Sequence, residues 1–328
     1  MQNLGRLRKL WKFLLSLFAI LAVFFIGIIY FIISNDAPII TGDVIHNIEY
    51  KPGLELDIYA PTKKVYDKTP VVIYIHGGAW IIGVKEGLNL NRFNQAANEL
   101  RESGYAIVSI NYTLAESNRS PFPTCIEDAV DAVTWVNENA ARYNFDVKNV
   151  GLFGESAGAH IAMMLAYADQ SHYSKDYAAI HFNYVVDIYG PNRLRDIFHA
   201  PALDTLYSMI GKLPARFQPR FDLAKYIFGF DPKQDSVKAS TILETYSPYN
   251  YLSASAPPTL LIQGDMDRIV PLNQSVSLQA KLDSLGVENE LHIIKGADHA
   301  FAKATPEQKS ELQKWIIMFI HGHYLKGV

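Results

Sequence analysis

The sequence predicts an α/β fold on a mostly parallel sheet, and three observations carry that expectation. Short apolar runs at 71–75, 105–110, 149–153, 181–188, 259–263 and 290–294 have the length and composition of strands buried on both faces. Most are separated by stretches with apolar residues three or four apart, at 88–102, 125–143, 157–167, 272–285 and 305–324, which read as helices covering both faces of the sheet. At 328 residues the chain is long enough for one large α/β unit plus a separate segment.

The separate segment comes first. Residues 1–12 carry four bases (Arg6, Arg8, Lys9, Lys12) and no acid, and 13–33 are 21 residues without a charge. Wound as a helix, such a run spans about 30 Å, the hydrocarbon thickness of a bilayer. A single transmembrane helix is expected there, with Trp11 and Tyr30 at the two interfaces and the amino terminus cytoplasmic by the positive-inside rule. A cleaved leader would have a shorter apolar core and a small-residue cleavage site, which Ser34-Asn35-Asp36-Ala37 does not supply, so an uncleaved signal anchor is the reading. The linker 34–42 is short, and the domain 43–328 is expected outside the cytoplasm close to the bilayer, in the periplasm if the source is bacterial.

Two strands, 43–50 and 54–59, should open the domain as an antiparallel pair. The second alternates Leu54, Leu56, Ile58 against Glu55, Asp57, Tyr59, as a half-exposed edge strand would. The later strand–helix rhythm specifies parallel neighbours joined by crossovers. It breaks at about 190–257, read as a helical cap over the strand ends. The cap's aromatics (Phe198, Tyr207, Phe217, Phe221, Tyr226, Phe228, Phe230) and bases (Arg193, Arg195, Arg216, Arg220, Lys225) are read first as a small core with solvated charges, and second as a surface for lipid headgroups or a hydrophobic substrate.

Composition excludes several classes. A net charge of −3 and the lack of a Walker loop, a G-x-G-x-x-G fingerprint or an H-E-x-x-H helix argue against nucleic-acid and nucleotide partners. Cys125 is the only cysteine, so neither an intrachain disulfide nor a cysteine-rich zinc site is possible. His321 and His323 read as an exposed helix end rather than a metal pair, for want of a third ligand.

The chemistry is carried by Gly154-Glu155-Ser156-Ala157-Gly158, placed where a strand gives way to a helix. This is the pattern of a nucleophile elbow, in which a tight turn exposes the serine hydroxyl and small neighbours permit close backbone approach. Serine is a weak nucleophile at neutral pH and needs a base held by a carboxylate. In this architecture the acid and then the histidine follow the serine, each after a strand. Asp265 and Asp267 follow the strand 259–263, and His299 follows 290–294. Of the ten histidines, His160 is one turn beyond Ser156 and expected to pack there, while His46, His172, His181, His199 and His292 have no motif around them. His76-Gly77-Gly78-Ala79-Trp80 follows the strand 71–75, where the N–H groups of Gly77 and Gly78, with that of Ala157, would form an oxyanion hole.

Together these segments resemble the α/β-hydrolase superfamily, specifically carboxylesterases and acetyl-esterases of the hormone-sensitive-lipase-like and feruloyl-esterase-like groups. The resemblance covers about 45–324. It rests on 71–80, Asn111-Tyr112-Thr113-Leu114-Ala115-Glu116, Phe122-Pro123 with Ile126-Glu127-Asp128, 154–158, Tyr189-Gly190-Pro191, Ser247-Pro248, the Gly264-x-x-Asp267-x-x-Val270-Pro271 loop and Asp298-His299. The chain departs from the family pattern in two places. Ala79 stands where a third glycine is common, and Thr113 and Ser117 stand where Arg and Pro are common. The resemblance implies an α/β-hydrolase fold with about eight strands, Asp267 rather than Asp265 as the acid of a Ser156–His299–Asp267 triad, and hydrolysis of a small-molecule or lipid-like ester through an acyl-enzyme. No metal or organic cofactor is implied. A peptidase or amidase of the same fold, or a non-catalytic membrane-tethered binding protein, are the alternatives.

Overall fold

A computed structural model describes residues 42–90, 93–197, 223–301 and 303–325. The expected membrane segment 13–33 and the part of the cap at 198–222 lie outside the described residues, and among those that are described no helix is long and apolar enough to cross a membrane.

Eight strands form one sheet: β1 (Val44–Lys51), β2 (Leu54–Tyr59), β3 (Thr69–Ile75), β4 (Ala106–Ile110), β5 (Phe145–Glu155), β6 (Val185–Ile188), β7 (Thr259–Gly264) and β8 (Asn289–Ile294). Their order across the sheet is β1-β2-β4-β3-β5-β6-β7-β8, antiparallel for β1/β2 and β2/β4 and parallel from there on. From β3 the chain crosses to β4 on one side, and from β4 back to β5 on the other. The loops after β3 and β5 therefore part at a switch point and leave a crevice at the carboxyl ends of the strands.

Alternation along β3 shows how the faces are divided. Val71, Ile73 and Ile75 join a core with α2 (Thr124–Glu138) and α4 (Ala157–Tyr167), while Val72 and Tyr74 join a second core with α1 (Asn94–Glu102) and the carboxyl-terminal helix Pro306–Gly322. That last helix starts with a capping box: the Thr305 hydroxyl accepts from the Gln308 N–H and the Gln308 side chain accepts from the Thr305 N–H, with Pro306 in the first turn. The helix expected over 125–143 divides at Asn139, whose side chain donates to the Trp135 carbonyl and competes with the helical ladder; α3 (Ala140–Tyr143) follows.

Three expectations need correction. β2 is not an edge strand: β4 pairs along its other side, β1 forms the edge, and Asp57 and Tyr59 are buried. Asp57 tolerates burial because Lys85, itself buried, lies 3.1 Å from its carboxylate, His46 lies 2.8 Å away and the Asn47 N–H donates to it. β6 starts at Val185 rather than 181. Asn183 has instead turned its side chain to Asn149 and the His323 carbonyl. The helix end bearing His321 and His323 is not fully exposed, since His323 donates to the Phe319 carbonyl and its other nitrogen lies 3.3 Å from Glu288.

Within the segment expected to be a cap, the described helices are α5 (Leu194–Ile197), α6 (Leu223–Phe228) and α7 (Ser236–Thr245); α8 (Asn273–Ser284) and the carboxyl-terminal helix, α9, follow. Ile227 and Phe228 are buried in the same core as β3, α2 and α4 rather than in a core of their own, while Arg195 pairs with Glu244 and Arg193 lies over the Tyr249 ring.

Candidate active site

β5 ends at Glu155, and Ser156 turns the chain into α4 with φ 51° and ψ −119°. A non-glycine residue rarely holds that conformation, and here its surroundings enforce it. The Ser156 N–H donates to the Ile188 carbonyl of β6 at 2.8 Å. Gly158 must lack a side chain because a Cβ there would come within 2.0 Å of the Ile75 carbonyl oxygen, so α4 can press against the end of β3. The hydroxyl is thereby presented at the amino end of a helix, where the backbone dipole favours developing negative charge.

The structure brings the three expected side chains together. Ser156 Oγ is 3.1 Å from His299 Nε2, and His299 Nδ1 is 2.7 Å from Asp267 Oδ2. The carboxylate is fully enclosed and richly paired: its oxygens also accept from Gln263 Nε2 and from the N–H groups of Ile269 and Val270, each at 2.9 Å. A carboxylate so held accepts from Nδ1–H, which leaves Nε2 facing the serine hydroxyl as the proton acceptor. Asp265 points elsewhere, accepting from the Gly296 N–H, and Asp298 accepts from the Lys303 N–H.

The loop after β3 faces the nucleophile. A Cβ at Gly77 would lie 3.4 Å from the Ser156 Cβ, so this backbone runs directly past the hydroxyl. Gly78 has φ 121°, and its carbonyl accepts from the N–H groups of Ile81 and Ile82, closing a turn that a side chain at 78 would drive into the Ile82 carbonyl oxygen at 1.9 Å. Among the described residues neither the Gly77 nor the Gly78 N–H has an acceptor, so both remain available to a bound oxygen. His76 does not join the chemistry. It is buried, stacked on Tyr112 at 4.4 Å and bonded to the Gly77 carbonyl, and burial lowers its pKa.

Two features had no signal in the sequence. Glu155, beside the nucleophile, receives the hydroxyls of Tyr74 and Tyr189 on its two oxygens, each at 2.7 Å. Tyr189, at φ 43°, sets its ring edge-on to His299 at 4.7 Å and to Phe301 at 4.9 Å. The Asp187 carboxylate accepts from the Gly190 N–H at 2.7 Å, and burial raises its pKa to about 7 against the opposing effect of that bond. Tyr74, Glu155, Tyr189 and His299 lie far apart in sequence, so no local pattern announces their contacts. His160 packs as expected, donating to the Tyr246 carbonyl between the rings of Trp80 and Phe122, with burial holding its pKa at about 4.

These groups open on a pocket of about 530 Å³ lined by Gly77, Gly78, Ile81, Ile82, Ile269 and His299 among others. Its walls are largely apolar and its polar groups converge on Ser156, as in an uncharged-ligand site.

A family model described as BD-FAE matches residues 56–282. Among curated proteins, "Probable carboxylic ester hydrolase LipM" of Mycobacterium tuberculosis is 29% identical over 71% of this chain and 49% of its own length, and "Esterase LipQ" of the same organism is 28% identical over 78% and 56%. The chain thus spans about half the length of these relatives. Among solved structures, an esterase of Pyrobaculum calidifontis superposes with a TM-score of 0.65 over 90% of this chain and 89% of that one at 23% identity, a likeness of fold.

Proposed function

The chain belongs to the BD-FAE family, and from that membership together with the site geometry we propose that it is a serine carboxylic-ester hydrolase. The observation that carries the reading is the continuous relay from Ser156 Oγ through His299 to the enclosed Asp267, set beside two N–H groups that have no acceptor among the described residues. Relatives named as ester hydrolases and esterases support it.

In the reaction His299 Nε2 takes the Ser156 proton as Oγ bonds to the ester carbonyl carbon. The carbonyl π electrons move to oxygen, where the N–H groups of Gly77, Gly78 and Ala157 receive the charge. His299 then passes its proton to the departing alcohol oxygen, leaving an acyl-serine that water hydrolyses by the same steps in reverse order. Asp267 orients the imidazole and stabilises its cation. Ser156→Ala should lower kcat for a p-nitrophenyl ester by about 10⁴-fold or more at unchanged thermal stability. Turnover within tenfold of the parent would overturn the assignment.

The segment 13–33 is proposed as a signal anchor with the hydrolase outside the cytoplasm, supported by its uncharged length and the bases that precede it. Retention of the full chain in membranes washed with alkaline carbonate, and its digestion by protease added from the extracytoplasmic side, test this.

A further inference from the structure

The sheet fixes which end of the domain the membrane segment can reach. Every parallel strand runs toward the pocket, so Ile75, Glu155 and Gly264 lie at the pocket end and Thr69, Phe145 and Thr259 at the opposite end. β2 runs against β4, and β1 against β2, which places Val44 beside Tyr59 and Tyr59 beside Ile107 at the end away from the pocket. The chain therefore enters the fold at the far end, and it is clamped there. The Asp43 carbonyl accepts from the Ala60 N–H and from Arg101 Nη2, both at 3.1 Å, and a Cβ on Gly42 would meet the same guanidinium at 2.8 Å.

From Ile33 to Gly42 there are nine steps of chain, which reach about 30 Å even when fully extended. A body of this length spans about 50 Å. The tether is too short to pass the domain and turn the pocket toward the bilayer. The surface around Gly42 suits a headgroup layer: Lys63, Lys64 and Lys68 stand exposed in the 60–68 loop, with Arg142 and Lys148 exposed on the neighbouring turns, against the exposed acids Asp43, Asp67, Glu102 and Glu138. The exposed Ile82, Met266 and Ile269 lie at the opposite end, around the pocket mouth, together with Asp265.

We propose that the 60–68 end of the domain rests on the bilayer that the anchor crosses, so that the Ser156 pocket opens away from it and receives esters dispersed in water rather than lipids of that membrane. This rests on the anchor reading given above. The full chain is reconstituted in vesicles of phosphatidylcholine and phosphatidylglycerol (3:1) carrying a nitroxide-headgroup lipid, with a fluorophore on Lys64→Cys or on Met266→Cys; the buried Cys125 is left in place. Lys148→Cys and Arg268→Cys, both at exposed positions, repeat the comparison should either first variant fold poorly. The labels at 64 and 148 should be quenched several-fold more strongly than those at 266 and 268. Equal quenching, or stronger quenching at 266 and 268, overturns the orientation while leaving the anchor intact. Release of the full chain by carbonate overturns the anchor and the orientation with it.

Discussion

The two ends of the sheet differ in backbone strain. Among the described residues eight non-glycine positions have positive φ, and six of them (Ala79, Trp80, Ser156, Tyr189, Ala300 and Phe301) lie in the loops at the carboxyl ends of the strands around the pocket. The other two are Asn47, on β1, and Asn144, at the opposite end of the sheet. Asparagine tolerates the left-handed region, whereas alanine and aromatic residues enter it only when their surroundings compel them, at about 1–3 kcal/mol each. Strain is concentrated where groups must be held in place for chemistry, and the packed core beneath offsets it.

The sharpest way to break this contrast is to keep the geometry and change the charge. Asp267→Asn preserves the shape of the loop but turns a donor toward His299 Nδ1, favouring the wrong tautomer, and kcat should fall by about 10⁴-fold, the size known for the equivalent change in the serine-protease triad. A loss below tenfold would show that the enclosed carboxylate does not orient the base.

Next in size is the turn at Gly78. Gly78→Ala forces a Cβ into the Ile82 carbonyl at φ 121°, so the oxyanion donors shift, and kcat should drop by about 10²- to 10³-fold with a lowered Tm. Asn144→Gly relaxes the strain at the far end, and both kcat and KM should stay at parental values. Equal effects from the two substitutions would remove the distinction between the ends.

Away from the turnover number, the contrast shows as a stability difference read against pH. Asp187 keeps its proton in the folded state up to about pH 7, whereas the unfolded chain loses it above about pH 4. Rising pH through that window therefore costs the parent stability. Asp187→Asn should gain on the parent by about 4 kcal/mol between pH 4 and 7 in denaturant titrations. His160 acts in the opposite sense: folded it resists protonation down to about pH 4, while the unfolded imidazole is protonated below about 6.5, so stability is lost as pH falls. A difference between Asp187→Asn and parent that does not vary with pH would place the Asp187 carboxylate in water rather than in the core.

Much of this was legible in the residues because it is encoded locally. Six apolar runs and the opening pair at 43–50 and 54–59 marked the eight strands, and Gly154-x-Ser156-x-Gly158 and the Gly264–Pro271 loop are short motifs whose backbone demands are written in their own glycines and prolines. β2 was misread because its alternation records side-chain polarity and not pairing: Asp57 looks exposed until Lys85, which is 28 positions later in the chain, folds over it. The Tyr74–Glu155–Tyr189 arrangement and the placing of Tyr189 against His299 join β3, β5 and the end of β6, so they exist only once the sheet has formed. Ser156, Asp265, Asp267 and His299 could be listed from the chain and the family resemblance already favoured Asp267; the folded loops set that acid against the imidazole and turn Asp265 to the Gly296 N–H.

The most direct test is to treat the intact protein with a fluorophosphonate and locate the adduct by peptide mass spectrometry. One phosphonylated residue, Ser156, is expected, with labelling strongly slowed in His299→Ala. An unlabelled protein, or an adduct on a different side chain while Ser156 stays free, would contradict the assignment of Ser156 as the nucleophile.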